Sequence, residues 1–377
     1  PILSKLEDKI DELLKAGLIE PVKTNWNSPV FMVPHNSAAK NEKPEDRKYR
    51  MIVDLRVVNS LVKFSNRYSY LVKGIEFAME RLRNKKYFTV LDMNKAYRSL
   101  KVTPRTQEIC AFIVPNSTKW PTQSFAFKSL IDGLNLGPGY YSYLINKALS
   151  YESRKATMIH IDDVCIASET IEQHLKDIDN VLRDLNASGF MIAAAKAQFF
   201  QTETRFLGHR ISLNKITIDE KRKALFREVP VPKTKKEMMR FLGMANYMGS
   251  FCDSFILRAG PLFDSLKGKK REYTLTAEQL TAFDEVKAMI DAAPALTIVD
   301  FNKPITMEVD ASYVGAGSVI YQSHEDKDGK EVREVIRFGS KRFSVQQCLM
   351  YTSLEKESLA IMFGIQQHSF FLSNSTD

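Results

Sequence analysis

Leu6, Ile10, Leu13 and Leu14 recur at helical spacing and share one face of the opening segment. Ser4 and Glu7 are spaced as a capping box and Gly17 is a stop, so the pattern predicts a helix between them. Ser28-Pro29-Val30-Phe31-Met32-Val33 is an extended apolar stretch. A polar run from Pro34 to Lys48 predicts a loop carrying Lys40, Lys43, Arg47 and Lys48, and a strand from Tyr49 to Leu55 follows, with Arg50 and Asp54 on it. Tyr87 to Leu91 predicts a strand ending at Asp92, and the glycine-rich stretch Gly133 to Gly139 leads into a helix through Tyr143 and Leu149. Thr157 to Ile161, then Asp162-Asp163, then Val164 to Ala167 reads as a hairpin with acids at its turn. In the next helix Thr170 and Gln173 form the cap, Leu175, Ile178, Leu182 and Leu185 line one face, and Gly189 is the end.

After Phe206-Leu207-Gly208-His209 the pattern turns helical and basic, with Lys221, Arg222, Lys223, Lys233, Lys235 and Lys236, and a second capping box at Thr234 and Glu237. From Pro304 a β-rich section returns, with Glu308-Val309-Asp310 and Val319-Ile320-Tyr321, and runs into a helix around Ser353 to Gln367. The order is mixed α/β, then mostly α, then a second α/β unit that is incomplete.

Composition bounds this picture. The 377 residues, 44% of them hydrophobic, fit two or three domains with cores of their own. A formal net charge of +9 points toward a polyanion, of which nucleic acid is the commonest. The four cysteines, Cys110, Cys165, Cys252 and Cys348, form no CxxC pair, which argues against a zinc ribbon or a disulfide framework. No apolar run reaches the roughly 20 residues of a membrane helix, so no membrane partner is expected. The chain opens on Pro1 in a charged amphipathic segment without a signal pattern, and the missing initiator Met suggests a piece of a longer precursor.

The acids carry the candidate chemistry. Asp-Asp taken alone is more often a solvated turn than a metal site. Here apolar strands flank the pair, and Asp92 repeats the arrangement at the end of another apolar strand. Neighbouring carboxylates repel unless a cation sits on them. Their hard oxygens suit Mg²⁺, with Mn²⁺ as the alternative, and two such ions would support phosphoryl transfer.

The order of motifs resembles the reverse transcriptases of LTR retrotransposons, specifically the gypsy-type group (Metaviridae), along essentially the whole chain. Leu14 to Pro21 with Ser28-Pro29-Val30 is similar to the family's opening, and Arg50-Met51-Ile52-Val53-Asp54-Leu55-Arg56-Val57-Val58-Asn59 to its fingers strand. The resemblance implies that Arg50 grips the incoming triphosphate, assisted by a loop lysine, Lys48 or Lys43. Leu91-Asp92-Met93-Asn94-Lys95-Ala96-Tyr97 resembles the first catalytic motif, which implies Asp92 as a metal ligand and Tyr97 as the steric gate against a ribose 2′-OH. Gly133 and Pro138 match the template-and-nucleotide motif, and Ile159-His160-Ile161-Asp162-Asp163 the catalytic hairpin, making Asp162 and Asp163 metal ligands. Lys196 sits where the family carries a lysine near the nucleotide, a candidate general acid for pyrophosphate. Phe206-Leu207-Gly208-His209 resembles the primer grip, with His160 packing against primer, and Arg240 to Tyr247 resembles the thumb. Val309-Asp310-Ala311-Ser312 and Tyr351 to Ala360 are similar to the start of an RNase H domain, implying Asp310 and Glu357 as its first two metal-binding acids.

Three positions depart from the family. His160 replaces an aromatic residue. Ile131-Asp132 replaces a proline followed by an aromatic residue or Gln, placing a carboxylate where the incoming sugar packs. Ala193-Ala194-Ala195 replaces an Asn-Pro turn.

The reading is an α+β right-hand polymerase followed by a partial RNase H-like α/β domain. Residues 1–88 form the fingers with the first palm elements, 89–212 the palm, 213–303 the thumb and connecting helices, and 304–377 the RNase H-like start. The expected activity is RNA- and DNA-templated DNA synthesis. Expected partners are an RNA/DNA primer–template duplex, deoxynucleoside triphosphates, and a second copy or other Pol domains, in cytoplasmic virus-like particles. The alternatives are a retired or structural-subunit relative that only binds nucleic acid and, against Tyr97, an RNA polymerase.

Overall fold

The structure, a computed structural model, describes residues 2–34, 49–62, 81–93, 96–161, 163–268 and 273–375. Lys40, Lys43, Arg47, Lys48, Asn94, Lys95 and Asp162 lie outside the described residues. The chain divides into two compact units. One comprises Pro1–Val72, Leu91–Cys165 and Lys176–Gln198; the other comprises Lys73–Val90, Ile166–Leu175 and Phe199–Asp377.

In the first unit the helix Ile2–Lys15 buries Leu6, Ile10 and Leu13. They pack with Ile19, Val30, Val53, Phe112 and Phe125 from a five-stranded sheet. The helix starts two residues before Ser4, so the expected Ser4–Glu7 box does not form. Glu7 instead accepts a hydrogen bond from Ser117 Oγ at 2.5 Å. Strand Ser28–Pro34 pairs antiparallel with Tyr49–Val53, setting Arg50 opposite Val33. The second strand stops at Val53, short of Leu55, because Asp54 turns the chain. Its carboxylate accepts from the Arg56 backbone N–H at 3.1 Å and the Arg56 guanidinium at 2.6 Å, and a helix Arg56–Leu61 follows. Those bonds hold the Asp54 carboxyl down at about 2.

The acid-bearing strands belong to a four-stranded sheet ordered Thr157–His160, Asp163–Ser168, Tyr87–Asp92, Gln198–Gln201. Phe88, Leu91, Val164, Cys165 and Ile166 are fully buried in it. The following helix, Ile171–Ala187, opens as expected, with the Gln173 N–H donating to Thr170 Oγ1 at 3.2 Å. Its buried stripe differs from the expected one: His174, Ile178, Val181 and Leu185 are inside, and Leu175 is 55% exposed. His174 is drawn inward by two hydroxyls, Thr89 Oγ1 at 2.8 Å and Ser168 Oγ at 2.9 Å.

In the second unit, strand character continues past His209, contrary to the expected turn to helices. Thr204–Phe206, His209–Ser212 and Lys215–Ile218 precede the first helix, Glu220–Arg227, and form one antiparallel sheet with Leu296–Thr297, which follows the helices. The helices Glu220–Arg227, Lys235–Met248 and Ala277–Asp291 meet through the rings of Phe226, Phe241 and Phe283, whose centroids lie 4.9 and 4.6 Å apart. Thr234 caps Lys235–Met248 by accepting from the Glu237 N–H, and the Glu237 carboxylate takes the Lys233 N–H. Thr306–Ala311, Gly315–Glu325 and Glu331–Arg342 form an antiparallel sheet. Ala360 and Phe363 of the helix Ser353–Gln367 pack on it with Ala316 and Phe343. No helix among the described residues is long and apolar enough to cross a membrane.

Candidate active site

Strand direction puts two of the acids at the same end of the sheet. The Lys86 N–H, just before Tyr87–Asp92, donates to the carbonyl of Ser168, the last residue of Asp163–Ser168. The start of one strand thus lies beside the end of its neighbour, so the pair is antiparallel and Asp92 and Asp163 share the opposite end. Lys196 joins them: its Nζ lies 3.3 and 3.4 Å from the two oxygens of Asp92. The Ala193 N–H donates to the Asp92 carbonyl at 2.8 Å, and a 3₁₀ turn, Ala194–Lys196, then lifts the lysine over the carboxylate. The turn therefore forms without the Asn-Pro pair of relatives. At the hairpin tip Ile161 takes a left-handed backbone, φ 53°. This is strained for a β-branched residue and marks a turn whose geometry is imposed. His160 is half-buried, with Nδ1 enclosed and unpaired. Burial pushes the nearby Cys165 thiol up to about 12, with Asp163 adding to the rise, so it stays protonated and is no thiolate ligand.

Arg50, Asp132 and Gly133 line one cavity of about 340 Å³. The cavity wall also includes Tyr49, Arg98 and Leu130. Asn59 holds the loop there: its Nδ2 donates to the Gly133 carbonyl at 2.8 Å, and its Oδ1 accepts from the Asn135 N–H at 2.9 Å. Tyr97 is not on the cavity wall. Its ring lies against Tyr141, 5.6 Å between centroids, and over Gly137, where a Cβ would come within 3.6 Å of it.

Leu207 and Gly208 form the two-residue turn between Thr204–Phe206 and His209–Ser212, both with positive φ, 51° and 69°. The Tyr247 hydroxyl donates to the Leu207 carbonyl. Arg222 lies 4.5 Å from the Tyr247 ring centroid, and its guanidinium occupies the space a Cβ on Gly208 would need. His209 stacks on Phe251 at 5.3 Å. Phe206 and His209 are 3% and 4% exposed, so within Phe206–His209 only the turn itself reaches the surface.

Asp310 and Glu357 are both exposed, one on a strand and one on a helix of the RNase H-like part. Val309 and Ala311 turn toward the core beneath Ser353–Gln367, and Asp310 alternates away from it and is exposed. Glu357 is exposed beside the buried Lys356, whose Nζ donates to the Cys348 carbonyl. Among the described residues no three His, Cys, Asp or Glu side chains group as a metal site.

Residues 40–211 match a family described as reverse transcriptase (RNA-dependent DNA polymerase), and residues 275–376 match an RNase H-like domain found in reverse transcriptase. The chain carries a reverse transcriptase domain followed by an RNase H-like domain. The Pol polyprotein of transposon opus from Drosophila melanogaster is 28% identical over 379 residues, covering 98% of this chain and 36% of that protein. The Tf2-3 polyprotein of Schizosaccharomyces pombe is 28% identical over 375 residues, covering all of this chain and 26% of its own length. The chain thus spans about a quarter to a third of these relatives. A foamy viral protease–reverse transcriptase solved in complex with RNA/DNA hybrid superposes with a TM-score of 0.80 at 22% identity, covering 98% of this chain and 46% of that one. That likeness shows the right-hand fold, with the RNase H-like part after it.

Asn59, His174 and Arg98 were not singled out as single residues by the sequence. Asn59 closes the Arg50–Asn59 motif, and only its contact with residues some 75 positions away reveals the clamp on the reverse transcriptase domain's cavity. His174 carried no signal, because its partners come from two other strands.

Proposed function

We propose that this chain is the polymerase part of a gypsy-type retrotransposon Pol polyprotein, adding deoxynucleotides to a primer on an RNA or DNA template. The observation that carries the reading is the placing of Asp92 and Asp163 at the same end of adjacent antiparallel strands, with Lys196 bonded to Asp92.

The residues fit a divalent cation. Two carboxylates share one strand end, and the Lys196 ammonium already balances the charge of Asp92. Asp92, Asp163 and Asp162 would hold Mg²⁺, with Mn²⁺ as the alternative. When bound, the ions lower the barrier to in-line phosphoryl displacement by neutralising charge on the attacking and leaving oxygens. Arg50 binds the triphosphate through a forked pair of N–H donors, Tyr97 bars a ribose 2′-OH, and Lys196 supplies a proton to the departing pyrophosphate. The Leu207–Gly208 turn carries the primer strand, and basic side chains of the helical section hold the duplex through its phosphates. Asp310 and Glu357 serve the RNase H-like part, and work in cytoplasmic virus-like particles belongs to the same reading.

The test is primer extension on an RNA template with Mg²⁺ and four deoxynucleotides. Asp92→Asn should slow extension by at least about 100-fold, because it removes a metal-binding charge while keeping shape. Salt-sensitive duplex binding without extension by the parent chain would replace this reading with the binding-only alternative.

A further inference from the structure

Asp132 poses a problem of charge. It lines one cavity with Arg50, the residue read above as binding the triphosphate, and the inference rests on that reading. A carboxylate on that wall repels a triphosphate and cancels Arg50, leaving a pocket without net charge for a strongly anionic ligand. This chain keeps the acid, and the same cavity wall holds a second guanidinium, Arg98.

We propose that Arg98 is a positioning and specificity residue of the nucleotide site, the countercharge that makes Asp132 tolerable there. Three observations carry this. Arg98, Arg50 and Asp132 line one cavity of about 340 Å³, large enough for part of a nucleotide. Among the described residues no ion pair ties any of the three to another side chain, so both guanidinium groups are available to a ligand. The other cation on that wall, Lys9, is already paired with Glu12 at 2.6 Å, which leaves Arg98 to offset Asp132. With Arg98 the wall carries two positive charges against one negative, and an anion is attracted. Arg98 follows Tyr97 directly on the turn Ala96–Ser99, so the packing of the Tyr97 ring on Tyr141 also fixes where the guanidinium starts. A guanidinium suits the task better than an ammonium, because its planar fork can bridge a carboxylate and a phosphate at once.

The proposal predicts coupling between positions 98 and 132. Equilibrium binding of a fluorescent deoxynucleoside triphosphate with Mg²⁺ reads it without turnover. Arg98→Ala should weaken binding about ten-fold, the scale of one charge-assisted contact. Asp132→Gln added to Arg98→Ala should restore affinity to within about three-fold of the parent, and Arg98→Lys should keep part of it. A merely structural role for Arg98 would not be rescued by neutralising Asp132. Unchanged binding in Arg98→Ala, strictly additive effects in the double variant, or no nucleotide binding by the parent would each overturn the proposal. Primer extension run beside it reports separately on the polymerase reading: coupling without extension would keep the nucleotide site and discard the polymerase.

Discussion

Lys196 and Asp92 form a contact that a metal ion would have to share. The ammonium, 3.3 Å from the carboxylate, partly neutralises a charge that the ion also needs. Lys196→Ala should therefore lower the Mg²⁺ concentration for half-maximal activity and still slow extension by about 100-fold through loss of the proton donor. A metal titration of both proteins would show affinity and turnover moving in opposite directions. His368 predicts a pH effect of a different kind. It is fully buried, its Nε2 lies 2.9 Å from Ser318 Oγ, and burial, aided by the charge of Arg337, lowers its pKa from 6.5 to about 4. Below pH 6.5 the unfolded chain binds a proton that the folded chain refuses. The stability is whole above that pH and falls as pH drops toward 4, by up to about 3 kcal/mol. Denaturant unfolding between pH 7 and 4 should show this slope, and His368→Gln should flatten it. Single residues were legible where chemistry is local: acids at strand ends could be read directly. His174 and Arg98 could not, because what matters about them is which distant side chains they face.

The hairpin turn Leu207–Gly208 takes positive φ at both of its residues. Leucine at φ 51° is strained, and the bond from the Tyr247 hydroxyl to its carbonyl helps hold it there. Gly208→Ala must displace the Arg222 guanidinium as well as adopt φ 69°, and should weaken primer–template binding several-fold while costing about 1–3 kcal/mol of stability. Tyr247→Phe, which removes only the hydroxyl, should cost about 1 kcal/mol and act in the same direction on binding. Equal duplex affinity in both variants and the parent would detach this turn from primer binding. At this scale the sequence was read well where periodicity and caps agree, as for Ser353–Gln367, and poorly where burial depends on partners. Ser4 looked like a cap until the helix was seen to begin at Ile2, and the strands after His209 were hidden by short length and charged residues such as Arg210 and Lys215.

For the whole molecule the net charge of +9 governs association with a polyanion. If six phosphates are neutralised, duplex affinity should fall about 1000-fold between 50 and 200 mM salt, and a filter-binding titration would measure it. A flat salt response would remove phosphate contacts from the account. The order of motifs along the chain was legible. The compact units are assembled from three segments each, and the backbone passes from one to the other five times. No single proteolytic nick or gene fusion can release either unit whole. A lineage that borrows this scaffold must inherit it entire, and a truncation made to isolate one half should yield insoluble fragments of both.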